Sequence, residues 1–245
     1  MKALLYHEFQ GIPSIEEISE PICPPEGAII RVEATGLCRS DWHGWMGHDD
    51  MIQLPHVPGH EFAGIVTAIG PQVRKYQVGQ RVTAPFVCGC NRCSYCERGD
   101  AQVCPDQTQP GFTHFGSFAE RVVVHQADLN LVPLPASMTF AQAAGLGCRF
   151  ATSYRAVVQQ GQLKPQQWLV VFGCGGVGLS AILIGRALNA RVLAVDVSES
   201  SLRKAQALGA ERTLNPNEHP DVIRTIRTWT SGGADVTLDA SGHRT

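Results

Sequence analysis

The sequence predicts an α/β chain in two parts: a barrel-like β domain followed by a doubly wound parallel sheet. Three observations predict it. Up to about residue 130, β-branched runs alternate with Gly and Pro turn signals, and helical periodicity is scarce. From Trp168 onward strands and helices alternate, which requires right-handed crossovers and builds a parallel sheet. Where that alternation begins, Gly173 to Gly178 form a glycine-rich turn between an apolar strand and an apolar helix.

In the first part, the strand candidates are Ala28–Val32, Ala63–Gly70, Arg81–Pro85 and Phe118–Val124. An Ala-rich helix opens at Phe140–Ala144, and Ala151–Gln159 predicts another. The second part reads as strand Trp168–Phe172, helix Val177–Leu188, strand Arg191–Val195 and helix Ser200–Leu208. Strand Arg212–Leu214, helix Asp221–Trp229 and strand Val236–Ala240 follow. The expected domains are 1–150 and 151–245. A complete dinucleotide-binding sheet has about six strands. Four are legible here, and the sequence ends after a strand at Ser241–Thr245, so the second domain is expected to be C-terminally truncated.

A formal net charge of −2, with acids and bases mixed along the chain, gives no electrostatic case for nucleic acid or an anionic membrane. Trp168–Gly185 runs eighteen residues without a charge, but its internal glycines favour a buried strand, turn and helix over a membrane span. The apolar run at the N-terminus is too short for a signal peptide, and the chain is expected to be cytoplasmic. In that setting nine cysteines point to metal or catalysis rather than to disulfides.

Cys90, Cys93, Cys96 and Cys104 have the spacing that folds a loop around one tetrahedral ion. Four sulfurs leave no open position, so the site is expected to be structural. Zinc leads, with an iron–sulfur cluster, or free or disulfide-bonded cysteines, as competitors. Cys88 lies outside the spacing and is a spare.

A second constellation is dispersed: Cys38, His60 and Cys148. Two thiolates and one imidazole make a three-ligand zinc site whose fourth position stays open for an alcohol oxygen, whose pKa the metal lowers. Ser40 and His43 supply a hydroxyl and an imidazole for a proton relay, and Asp41 is a candidate partner for the second ring nitrogen of His60. In the glycine turn, Gly173 permits the tight turn, Gly175 admits a pyrophosphate to the backbone, and Gly178 lets helix pack on strand. Asp196 ends the next strand, where a carboxylate favours NAD over NADP, although Arg203 lies nearby.

Taken in order, Gly36–Asp41, Gly59–Glu61, the four-cysteine loop, Gly147–Phe150 and the turn from Gly173 closely resemble the zinc-containing alcohol dehydrogenases of the medium-chain dehydrogenase/reductase superfamily. The resemblance implies a GroES-like β domain joined to a Rossmann domain. It implies NAD and two zinc ions per chain, with Cys38, His60 and Cys148 as catalytic ligands and Glu61 as a nearby carboxylate. By the same resemblance Arg39 contacts the pyrophosphate, Thr152 lies beside the nicotinamide, and Gly176 and Val177 belong to the cofactor turn. The implied partner is a small alcohol or carbonyl compound, and the full-length parent is implied to be a homo-oligomer. A polyol or formaldehyde-type dehydrogenase is the enzymatic rival, and a non-catalytic zinc-stabilised nucleotide-binding fragment is the other. Trp42 and Trp45 flank the relay and either line the pocket or simply pack.

Overall fold

The structure, a computed structural model, describes residues 1–219 and 221–242. The expected chain end at His243–Thr245 lies outside the described residues. Two compact units are present, Met1–Cys148 and Arg149–Thr245. The sequence placed the domain boundary two residues later.

In the first unit the strands are β1 (Lys2–Leu5), β2 (Ser14–Glu17), β3 (Ala28–Gly36), β4 (Glu61–Ile69), β5 (Arg81–Thr83), β6 (Arg121–Val124) and β7 (Val132–Pro133). Its helices are short: α1 (Arg39–Trp45), α2 (Ser94–Glu97), α3 (Ala127–Asn130) and α4 (Phe140–Ala144). Strands β1 and β2 form an antiparallel ribbon, and the others form an antiparallel sheet in the order β6-β3-β4-β5-β7. Alternation along β3 and β4 directs Ile30, Phe62 and Val66 into a core shared with Val82, Val122 and Val124. Register shifts after Ile29 and after Val32 mark bulges, which add twist and bend the sheet.

The strand predicted at Phe118–Val124 is divided. Residues 121–124 pair with β3, whereas Phe118 O accepts from Leu4 N and Glu120 N donates to Lys2 O. The segment therefore joins the ribbon to the sheet, which gives the unit its curled, barrel-like form.

The second unit contains α5 (Ala151–Tyr154), β8 (Trp168–Phe172), α6 (Gly176–Ala187), β9 (Arg191–Val195), α7 (Glu199–Leu208), β10 (Arg212–Leu214), α8 (Val222–Trp229) and β11 (Val236–Asp239). The helix expected over 151–159 is α-helical only to Tyr154. A wider π-helical turn, Arg155–Gln160, continues it, with Gly161 N bonding to Ala156 O.

All four strands are parallel, in the order β10-β9-β8-β11. Numbered within the unit this is 3-2-1-4, and the order reverses between β8 and β11. Leu169, Val171, Val192 and Ala194 pack on one face with Ile182 of α6 and Leu202 of α7. Val170, Leu193, Val195 and Leu214 pack on the other with Ile226 and Trp229 of α8. Helices on both faces explain why the central strands β8 and β9 are apolar on both sides. The uncharged run is thus β8, the turn and most of α6, and no described helix is long and apolar enough to cross a membrane.

Candidate functional site

The β3 strand delivers the first ligand. It ends at Gly36, and Cys38 then caps α1 in extended conformation. Asp41, the third residue of α1, reaches back so that its Oδ2 accepts the Cys38 backbone N–H at 2.8 Å. Its other oxygen accepts from Gly59 N at 3.1 Å and from His60 Nδ1 at 3.0 Å. One buried carboxylate therefore ties together the turn holding Cys38 and the turn holding His60, as the sequence anticipated for His60.

His60 and Glu61 are fully buried at the entry to β4. A carboxylate only accepts, so Nδ1 of His60 carries a proton, and Nε2 offers a lone pair whenever the ring is neutral. That Nε2 is buried and has no hydrogen-bond partner. An orphaned lone pair of this kind is costly unless something coordinates it.

Cys148 completes the group. It lies in the π-helical turn Leu146–Phe150, fixed in part by Gly147 O accepting from Phe86 N. Ligand atoms of Cys38, His60, Glu61 and Cys148 all lie within 4.8 Å of one another.

The electrostatics suit a cation. A hydrogen bond from Cys148 drives the Cys38 thiol down to about 3; burial opposes this, while His60 and Ser40 add to it. Burial alone lowers the His60 pKa, but the Asp41 hydrogen bond and the Cys38 thiolate outweigh it and raise the ring to about 9. Without metal, the site thus gathers negative charge and draws a proton to compensate.

The second cysteine group is tighter. Cys93 Sγ lies 3.6 Å from Cys96 Sγ and 3.7 Å from Cys104 Sγ, and all four sulfurs fall within 4.8 Å of each other. Sulfurs about 2.3 Å from one tetrahedral ion are about 3.8 Å apart, so the spacing fits a single ion. It is too small to enclose a multi-metal cluster. All nine cysteines are free, which removes the disulfide alternative. Cys88 is buried away from the group, its Sγ 3.6 Å from Pro85 O.

The glycine turn is tight at two of its positions. Gly173 has φ +87, and a Cβ on Gly178 would lie 1.9 Å from Gly173 O. A Cβ on Gly175 would meet nothing within 4 Å, which leaves open space at the α6 N-terminus for a phosphate group. Asp196, following β9, accepts from Cys174 N at 2.6 Å and Ser198 N at 2.8 Å, so its carboxylate is held at the turn. Gly176 and Val177 are the first two residues of α6, and Thr152 is exposed on α5.

Comparison with known proteins shows the family. Residues 24–136 match the alcohol dehydrogenase GroES-like domain, and residues 176–245 match the zinc-binding dehydrogenase family. An alcohol dehydrogenase of Geobacillus stearothermophilus is 32% identical over 236 residues, covering 95% of this chain and 68% of the relative. The chain belongs to the zinc-binding alcohol dehydrogenase family. Among solved structures, alcohol dehydrogenase TADH from Thermus sp. ATN1 superposes with a TM-score of 0.92 at 32% identity, covering 99% of this chain and 71% of that one. A structure described as an NAD-dependent alcohol dehydrogenase gives 0.89 at 33% identity, covering 99% and 71%.

For a member of this family the relay candidates are informative. Ser40 Oγ is 3.7 Å from Cys38 Sγ, whereas His43 is exposed and its Nδ1 lies 3.0 Å from His48 Nδ1. Sequence reasoning missed His48; a histidine at i+5 beyond a short helix carries no periodic signal. The two tryptophans separate. Trp45 Nε1 donates to Gly11 O at 2.7 Å, a packing role. Trp42 is exposed, its ring edge-on to His43 and His48 and 5.3 Å beneath the Arg39 guanidinium.

Proposed function

We propose that this protein oxidises a primary or secondary alcohol to the aldehyde or ketone and passes the hydride to NAD. The observation that carries the reading is the three-ligand group of Cys38, His60 and Cys148, with a buried His60 Nε2 left unpaired while Asp41 fixes Nδ1. Those three residues would hold one zinc ion, with Glu61 close by. Cys90, Cys93, Cys96 and Cys104 would hold a second, structural ion. Bound in the open site, zinc supplies Lewis acidity that lowers the pKa of an alcohol.

The remaining work falls to the chain's own groups. Asp41 keeps the His60 tautomer and aims its ring. Ser40 and His43 carry the alcohol proton outward. Gly173, Gly175 and the α6 N-terminus receive the cofactor pyrophosphate, and Gly176 and Val177 continue that turn. Asp196 selects NAD by hydrogen bonding ribose hydroxyls and repelling a 2′-phosphate. Arg39 and Thr152 are assigned to the pyrophosphate and the nicotinamide by family resemblance.

The reading is supported by the NAD-dependent relative and by the donor chemistry of the two cysteine groups. Its test is elemental analysis of protein purified without added metal, followed by NAD reduction with ethanol, benzyl alcohol, sorbitol and formaldehyde. About two zinc ions per chain and turnover of simple alcohols are expected. Turnover of polyols alone would overturn the simple-alcohol assignment.

A further inference from the structure

The His43–His48 contact is a hydrogen-bonded pair of imidazoles, not a packing accident. At a Nδ1–Nδ1 separation of 3.0 Å, one ring must donate and the other accept. The ring centroids are 5.4 Å apart, and Trp42 sets its edge against both, at 4.8 Å from His43 and 5.7 Å from His48. Backbone geometry fixes the pair as well: His48 N donates to His43 O at 3.0 Å, closing the end of α1. Both rings reach solvent.

With Nδ1 of His43 committed to His48, only its Nε2 is left to take a proton from the substrate side. We propose that His48 is the outer member of the proton relay. This rests on the alcohol dehydrogenase reading above.

The step balances as follows. A proton arrives at His43 Nε2 as the alcohol loses it, and the His43 Nδ1 proton crosses the short bond to His48 Nδ1. His48 then releases its Nε2 proton to water. One proton enters and one leaves, the positive charge resting on His48 in between. Solvent exchange at both exposed rings restores the starting tautomers, and carbonyl reduction runs the same path in reverse.

The arrangement has a physical purpose. Because Nδ1 of His43 is bonded to His48 rather than to water, a proton leaving His43 on that side passes through a fixed bond to a second ring at the surface. The charged neighbours are Arg39, whose guanidinium lies 5.3 Å from the centroid of the shared Trp42 ring, and Asp49 and Asp50, which follow His48 directly. Asp49 Oδ1 is engaged by Met51 N, and Asp41 of the same helix faces His60.

The experiment uses the full chain and His48→Gln. Ring nitrogen NMR, recorded without substrate, should show a scalar coupling between His43 Nδ1 and His48 Nδ1 across the hydrogen bond, absent in the variant. In alcohol oxidation, His48→Gln should lose about 5- to 30-fold in kcat below neutral pH with KM little changed. That is less than the roughly 10²–10⁴ of a directly reacting group. Added imidazole buffer should restore most of the loss, which it would not do for a merely structural defect.

Absence of that coupling in the unaltered chain, or an unchanged pH–kcat profile in the variant, would overturn the relay while leaving the dehydrogenase reading intact. Absence of alcohol-dependent NAD reduction in the unaltered chain overturns both.

Discussion

Asp41 is the point at which the metal site and the fold meet, and Asp41→Ala tests both. Its side chain is 3% exposed and that of His60 1%, so water screens the pair weakly. The substitution removes the acceptor for Cys38 N, Gly59 N and His60 Nδ1 together. Hydrogen bonds to a charged group contribute about 1.5–3 kcal/mol each, but local relaxation and water entry recover part of such a sum. Breaking one side of a buried ion pair costs about 3–5 kcal/mol, and that is the expected loss for the metal-free protein.

Asp41→Asn separates geometry from charge. Its carbonyl oxygen still serves Gly59 N and His60 Nδ1, whereas its amide faces the Cys38 N–H as donor against donor. A loss of about 1–3 kcal/mol is expected for that variant. Zinc affinity should fall about 10–100-fold in the Ala variant, because the His60 ring loses its orienting partner. Urea unfolding in the presence of a chelator reads the first quantity, and competition with a chromophoric chelator reads the second. If Asp41→Ala unfolded within about 1 kcal/mol of the parent and bound zinc as tightly, the carboxylate would not be what holds Cys38 and His60 together.

Other perturbations should separate the remaining sites. Cys148→Ala should abolish alcohol oxidation with little change in melting temperature, whereas Cys96→Ala should lower melting temperature, because a closed site contributes its metal-binding energy to folding; calorimetry of both variants checks this. Asp196→Ala should weaken NAD about 10-fold and narrow the preference over NADP, read by fluorescence titration with each nucleotide. Burial pulls His114 down to about 4, helped by His125 and His56 and opposed by the Val123 carbonyl. Between its ordinary value of 6.5 and about 4 the unfolded chain binds the proton and the folded one does not. Stability should therefore fall as pH drops through that window, by about 2–3 kcal/mol, and His114→Gln should flatten the decline measured by denaturant titration.

The parallel sheet was legible almost to the residue because its central strands are apolar on both faces and two of its helices begin at side chains that cap them. Trp168–Phe172, Arg191–Val195 and Arg212–Leu214 stand as predicted, and Ser198 and Asp221 accept from the third backbone N–H of α7 and α8. The β domain was legible only in outline. Its strands are short, and the segment before β6 serves two partners, so local alternation does not reveal where one pairing ends and the next begins. The π-helical turns at Leu146–Phe150 and Arg155–Gln160 left no sequence signal, since they differ from α-helix by a single hydrogen-bond step.

The two candidate metal groups were legible for opposite reasons. Cys90, Cys93, Cys96 and Cys104 lie in one short loop, so spacing alone specifies a closed set of sulfurs, and the 3.6 Å and 3.7 Å separations agree with it. Cys38, His60 and Cys148 come from three distant turns, and no spacing rule joins them; only the chemical requirement for two thiolates and an imidazole did. What brings Cys38 and His60 together is Asp41, which is read in the sequence as a partner to His60 but not as the acceptor for Cys38 N and Gly59 N. Those bonds involve backbone donors, which every residue carries, so side-chain identity gives no notice of them. A dispersed site of this kind is as stable as the carboxylate that closes it, and for that reason the Asp41 variants test the assembly of the centre more directly than loss of any one ligand.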